Sequence, residues 1–181
     1  GIQDIEKIEG YDVSHFSGDN AVASCVVFYK QGPQKKNYRL FNIPAELSGN
    51  DIGSLEHVLK RRIKYYADPE LKPDVILIDG GKNQLNFVNT IINKSDHHDI
   101  KVISIAKGSK RVRATETIIS EDGIIELDKY SKAFLILQEI RDESHRFAIR
   151  AQRNKKRKKI SQSELDSIKG IGEILKKRLL T

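Results

Sequence analysis

Two aspartates in this 181-residue sequence stand where the local pattern does not call for them. Asp12 lies inside Glu9-Gly10-Tyr11-Asp12-Val13-Ser14-His15, a β-rich run in which strand propensity disfavours Asp. Asp79 ends the apolar run Val75-Ile76-Leu77-Ile78, and the carboxyl end of a strand in an open α/β sheet is where ligand crevices form. Gly80 and Gly81 behind it let a phosphate or a metal approach the backbone. Each aspartate also has a plain structural reading, Asp12 as a surface-facing strand residue and Asp79 as the cap of the next helix. If the first strand neighbours the fourth, the two carboxylates sit side by side, and their repulsion calls for a cation between them. The third group is His145, in Gln138-Glu139-Ile140-Arg141-Asp142-Glu143-Ser144-His145-Arg146-Phe147. Leu137, Ile140, Ser144 and Phe147 form its core-facing stripe, while Asp142 and His145, three apart, share an adjoining face. A lone helical His is often a structural hydrogen-bonding residue, but one beside a carboxylate that orients its ring is a better ligand or proton-transfer group. Oxygen donors suit Mg²⁺ or Mn²⁺. The chemistry such a set would support is metal-assisted hydrolysis, with Asp12 and Asp79 as ligands and His145 completing the metal shell or handling a proton.

The elements that must position these groups are legible in the pattern. Residues 8–16 and 20–30 are β-rich and flank the turn-forming Ser17-Gly18-Asp19, which reads as a hairpin. After Gln31-Gly32-Pro33, a third strand is expected from about Lys35 to Ile43. Ile52, Leu55, Leu59, Ile63 and Tyr66 recur at helical spacing, so an amphipathic helix spans Asp51 to Tyr66. Asp51 reads first as an N-terminal helix residue favoured by the dipole. Residues 74–78 are expected as a central strand, followed by a helix carrying Leu85, Val88, Ile91 and Ile92 and a fifth strand over 101–106. A hairpin around Glu121-Asp122-Gly123 and a long helix from about Ser131 towards Lys158 complete the order. This is a mixed α/β pattern, a five-stranded mixed sheet flanked by helices, with the strand order of the ribonuclease-H-like fold. Fold order alone carries no function.

Net charge is +7, and its distribution is uneven. Residues 141–181 hold 13 Lys+Arg against 5 Asp+Glu, whereas residues 1–140 hold 19 against 20. The excess centres on Arg153-Asn154-Lys155-Lys156-Arg157-Lys158-Lys159, which fits a solvated helix face, a targeting signal or a nucleic-acid contact. Beyond it, Lys169-Gly170-Ile171-Gly172 reads as the hairpin between two short helices, a turn whose backbone N–H groups suit phosphate. Arg150, Arg153, Lys155, Lys156, Arg157, Lys158, Lys159, Gly170 and Gly172 are the expected DNA contacts. The lone Cys25 sits in an apolar run and reads as core, which excludes a disulfide framework and fits a reducing cytoplasm. No stretch approaches a membrane span, and no secretory signal is visible. The absence of any Met makes the sequence read as a piece of a longer protein. Neither a Ser-His-Asp order, a Walker loop nor a Cys/His zinc spacing is present. His97 and His98, in Ser95-Asp96-His97-His98-Asp99, read as polar loop residues.

Four motifs resemble the C-terminal half of the UvrC family, the nuclease subunits of bacterial nucleotide excision repair. They are Tyr11-Asp12-Val13-Ser14-His15, Ala21-Val22-Ala23-Ser24-Cys25-Val26-Val27-Phe28, Pro73-Asp74-Val75-Ile76-Leu77-Ile78-Asp79-Gly80-Gly81-Lys82 and Arg141-Asp142-Glu143-Ser144-His145. The resemblance spans nearly the whole chain in the expected order. It implies a ribonuclease-H-like endonuclease that cuts the damaged strand of duplex DNA on the 5′ side of a lesion, with Asp12, Asp79 and His145 as its triad. Gly49-Asn50-Asp51 matches a stretch holding a further acidic residue implicated in that incision, so Asp51 joins the candidates. The family ends in a tandem helix-hairpin-helix module, of which only the first hairpin is complete in this sequence. The division expected is therefore 1–159 as the endonuclease domain and 160–181 as a partial helix-hairpin-helix module. The UvrB-contacting segment and the N-terminal nuclease of the family are not in this sequence, and a bacterial cytoplasmic location follows from the resemblance. Two other readings are a non-catalytic basic nucleic-acid-binding module and a different ribonuclease-H-like nuclease.

Overall fold

The computed structural model describes residues 5–14, 21–107 and 116–166, together with 172, 174, 175 and 178. β1 (Lys7–Ser14) and β2 (Val22–Tyr29) pair antiparallel in a register that places Asp12 opposite Ser24. β3 (Gly32–Pro33) and β4 (Arg39–Asn42) both pair with β2, at different points along it. The single strand expected over 35–43 is thus shortened to β4, because Lys35–Asn37 turn as a 3₁₀ helix before it. α1 (Asp51–Arg62) begins at Asn50, whose side chain accepts from the Gly53 amide at 2.9 Å, and tightens into a 3₁₀ turn over Ile63–Tyr65. β5 (Val75–Asp79) is buried up to its last residue, as a continuous apolar run requires. α2 (Lys82–Asn93) and β6 (Lys101–Lys107) follow. β7 (Glu116–Ser120) and β8 (Gly123–Ile125) form the expected hairpin, whose turn uses Gly123 at φ +128°, a conformation that favours glycine. α3 (Lys132–Asp166) closes the fold.

The eight strands form one mixed sheet in the order β3-β2-β1-β5-β6-β7-β8, with β4 also on β2. β1, β5 and β6 are parallel neighbours at its centre, and the other pairings are antiparallel. The five strands expected are all present, and three short ones extend them. The hairpin expected around Glu121-Asp122-Gly123 joins the sheet: β7 adds to the edge of β6 and buries Ile118 there. α3 packs across β2, β1, β5 and β6, while α1 and α2 contact the sheet from the other side. α3 runs past residue 159 to Asp166. Most of 160–181, including Gly170 and Ile171 of the expected hairpin, lies outside the described residues, as does the Ser17-Gly18-Asp19 turn.

Alternation along β1 decides which groups meet which helix. Gly10 and Asp12 face α3, and the approach at Gly10 is so close that a Cβ there would stand 2.3 Å from Ile140 Cγ2. Glu9 and Tyr11 face α1. Glu9 is fully buried and accepts from Arg62 Nε at 3.2 Å, Arg62 Nη2 at 2.5 Å, Tyr11 Oη at 2.7 Å and Tyr66 Oη at 2.8 Å. Burial pushes the Glu9 carboxyl up, but the hydrogen bonds and charge of Arg62 outweigh it, helped by both phenols, and hold it below the usual carboxylate range. This buried pair ties β1 to α1 from the side opposite α3. Such a pair is stable only because its hydrogen bonds are satisfied.

Candidate metal centre

Three elements converge at the carboxyl ends of the parallel strands. β1 brings Asp12, which is 6% exposed. β5 ends in the half-buried Asp79, on the same face because Tyr11 and Ile78 are register partners. α3 crosses above both and supplies His145, whose side chain is 55% exposed. One ligand atom from each of Asp12, Asp79 and His145 lies within 4.8 Å of the others. Among the described residues this is the one group of three or more His, Cys, Asp or Glu side chains placed to hold a metal ion. His145 Nδ1 is 3.0 Å from Asp12 Oδ2. A carboxylate only accepts, so in this pairing Nδ1 carries the proton. Two carboxylates and an imidazole, one of them buried and one open to solvent, are a donor set that suits Mg²⁺ or Mn²⁺. The residues therefore fit the ion that the sequence pattern implies.

One expectation needs correcting. Asp142 does not orient His145: its Oδ1 accepts from Arg141 Nε at 2.9 Å and Nη2 at 2.5 Å, and its side chain is 68% exposed. Spacing of three places the two residues on adjoining faces, but the neighbouring guanidinium captures the carboxylate, and the partner of His145 comes from across the fold as Asp12. Arg141 also pairs with Glu116 on β7, which accepts from Gln138 Nε2 at 2.7 Å, so this turn of α3 is tied to the sheet edge.

Asp51 is not in the group of three. It is exposed at the first turn of α1, with Gln84 Nε2 3.5 Å from its Oδ2. Gln84 Oε1 accepts from the Gly81 amide at 2.9 Å, so one side chain bridges the loop after Asp79 to the start of α1. Gly49, Asn50, Asp51, Ile52, Asn83 and Gln84 line a shallow polar cleft there. Sequence reasoning passed over Gln84, whose only signal is its position three residues beyond a glycine N-cap.

Of the basic residues on α3, Arg150, Arg153, Lys156 and Arg157 are exposed, whereas Lys155 is half-buried and donates to Asn42 Oδ1 on β4. The side chains of Lys158 and Lys159 lie outside the described residues, and of the Gly-Ile-Gly turn only the exposed Gly172 is described. Cys25 is buried, as expected, with its thiol 3.6 Å from Glu9 Oε2. His97 packs edge-on against the Tyr66 ring at 5.7 Å between centroids. No helix among the described residues is long and apolar enough to cross a membrane.

A mixed sheet with its acidic pair on adjacent parallel strands, overlaid by a helix that brings a histidine, is the arrangement of a ribonuclease-H-like nuclease domain. The chain belongs to the family of the UvrC RNase H endonuclease domain, whose profile matches residues 1–149. It is similar to the UvrABC system protein C of Legionella pneumophila (strain Paris), at 41% identity over 180 residues, 98% of this chain and 29% of that protein. It is similar also to the UvrABC system protein C of Pseudoalteromonas translucida, at 40% identity over 182 residues, 99% of this chain and 30% of that protein. The chain thus spans about three tenths of the length of these curated relatives. Among solved structures, a Ciona intestinalis endonuclease V in complex with an inosine-containing 23mer DNA matches with a TM-score of 0.45 and 17% identity, over 62% of this chain and 50% of that one.

Proposed function

We propose that this chain is a metal-dependent DNA endonuclease domain that makes the 5′ incision beside a lesion in bacterial nucleotide excision repair. The observation that carries the reading is the convergence of Asp12, Asp79 and His145 from β1, β5 and α3. Asp12, Asp79 and His145 would hold the ion, Mg²⁺ or Mn²⁺. Such an ion lowers the pKa of a water and neutralises charge on the phosphate. The protein's own part is positional. Asp12, buried against the sheet, keeps the direction of its carboxylate fixed, and Asp79 stands beside it at the strand end, next to Gly80 and Gly81, whose amides are held by the Ile105 carbonyl and Gln84 Oε1. His145 lies on the solvent side, where the phosphodiester must enter, and its Nδ1–H is aligned on Asp12. Asp51, bridged through Gln84 to the loop after Asp79, adds a further acidic group on the approach.

The exposed cations Arg150, Arg153, Lys156 and Arg157, with Lys158, Lys159 and the Gly170-Ile171-Gly172 turn, serve the phosphate backbone of damaged duplex DNA without reading its sequence. Residues 1–159 are the endonuclease domain and 160–181 a partial helix-hairpin-helix module. The damaged strand is presented by UvrB, through parts of a longer bacterial cytoplasmic protein outside this chain. The test is nicking of an end-labelled lesion duplex by the full-length parent with UvrB, wild type against Asp12→Asn and Asp79→Asn. Either substitution keeps the side-chain shape and removes a charge, so the 5′ cut should fall by at least about a hundredfold while the 3′ cut and folding persist. Undiminished 5′ incision by either variant, or loss of the 3′ cut alone, overturns the reading.

A further inference from the structure

Ser24 is fully buried on β2, directly opposite Asp12 in the β1–β2 ladder. Cross-strand partners share a face, so its side chain points with that of Asp12 towards α3. Its hydroxyl donates to the Ser144 carbonyl oxygen at 2.8 Å. Ser144 immediately precedes His145 and is itself buried, its own hydroxyl donating to the Arg141 carbonyl at 2.7 Å. We propose that Ser24 is a positioning residue for the metal centre: through this one hydrogen bond, the strand position opposite Asp12 holds the turn of α3 that carries His145. The proposal rests on reading Asp12, Asp79 and His145 as the metal-holding group.

Other polar ties of α3 to the sheet come from Gln138 and Arg141 to Glu116 on β7 and from Lys155 to Asn42 on β4, at the ends of long side chains, whereas close to His145 the packing against the sheet is mainly apolar, through Leu137, Ile140 and Ala148. Apolar packing is non-directional and sets the height of a helix above a sheet better than its rotation or its slide along the axis. A hydrogen bond to a particular helix carbonyl is directional, and a carbonyl has a second lone pair to accept it beside its helical partner. Ser24 and Ser144 are both buried, so this hydrogen bond is shielded from bulk solvent. A small rotation of α3 would swing His145 away from Asp12, now 3.0 Å distant, and out of a group whose ligand atoms lie within 4.8 Å. If the hydroxyl only satisfied a buried carbonyl, its loss would lower stability and leave the metal centre unmoved.

Ser104 provides the control. It is fully buried on β6, its hydroxyl has no hydrogen-bond partner among the described residues, and its register partner Ile78 places it on the face away from Asp12. Mn²⁺ binding by calorimetry is measured for the wild-type chain, Ser24→Ala, Ser104→Ala and Asp12→Asn, with thermal unfolding of each metal-free protein alongside. Ser24→Ala should weaken Mn²⁺ binding about tenfold, the scale seen when supporting hydrogen bonds to metal ligands are removed, while Ser104→Ala leaves it within about twofold. In nicking assays Ser24→Ala should lower kcat and leave the KM for DNA unchanged. Mn²⁺ binding by Ser24→Ala within twofold of wild type, or weakened equally by Ser104→Ala, overturns the proposal; if Asp12→Asn abolishes binding in the same series, the metal-centre reading stands without it. Wild-type Mn²⁺ binding by Asp12→Asn rejects both.

Discussion

Replacing Gly10 with Ala tests how α3 is seated over the centre. The added Cβ would stand 2.3 Å from Ile140 Cγ2 and 3.1 Å from Val26 Cγ2. Carbon atoms rest at about 3.5–4.0 Å, so α3 must rise by more than about 1 Å or Ile140 must leave its rotamer. Ile140 is fully buried and β-branched on a helix, which leaves it one favoured χ1. Overpacking of this kind costs about 1–3 kcal/mol. In a chain of this size each kcal/mol lowers Tm by roughly 2–4 °C. The distinguishing test is a double-mutant cycle with Ile140, read by urea unfolding. Ile140→Ala alone should cost about 2–5 kcal/mol for the cavity it leaves. Combined with Gly10→Ala, the new methyl group occupies part of that cavity, so the double variant should be more stable than the sum of the singles by at least about 1 kcal/mol. Ile140→Val keeps the offending Cγ2 methyl and should give no such relief. Additivity within about 0.5 kcal/mol, or equal relief by Val and Ala, would refute the reasoning.

Acid should unfold the protein through Glu9. Its folded-state carboxyl lies below the ordinary value of 4.5, so its stabilising contribution is complete above that pH and is lost as pH falls through the lowered value. Urea midpoints of wild type should drop steeply below about pH 4.5, whereas Glu9→Gln, already destabilised by about 3–5 kcal/mol because Arg62 is left buried and unpaired, should show a shallower drop; parallel declines would reject this role. Changing Arg150, Arg153, Lys156 and Arg157 together to Gln should flatten the dependence of log K on log[salt] for duplex DNA by roughly 0.9 for each phosphate no longer neutralised. These four are exposed, so folding should be unaffected, and an unchanged slope would make them a solvated surface. Deleting the chain after Ile149 is a poorer test, because it also removes the buried Gln152 and the hydrogen bond from Lys155 to Asn42.

The grouping of Asp12 with Asp79 is legible because both break the patterns around them, and a breach of local propensity marks a place where something else compensates. The register that sets Asp12 across from Ser24 comes from the observed ladder. What the sequence did not disclose depends on partners from distant segments. Glu9 carries no local signal of burial, which follows from Arg62 and Tyr66, more than fifty residues away. Asp142 looked like the support for His145 because helical spacing is local, whereas its capture by Arg141 depends on side-chain reach. The third strand is shorter than its pattern suggests because Lys35–Asn37 turn as a 3₁₀ helix and carry no glycine or proline to mark it. Joining of the β7–β8 hairpin to β6 is a sheet-edge contact that periodicity does not report.

Whether Asp12, Asp79 and His145 hold one divalent cation is read most directly from crystals soaked in Mn²⁺. An anomalous difference peak in contact with all three side chains is expected in wild type and is absent in crystals of Asp79→Asn. A peak bound elsewhere with these side chains unliganded, or one that persists unchanged in Asp79→Asn, would contradict the metal-holding reading.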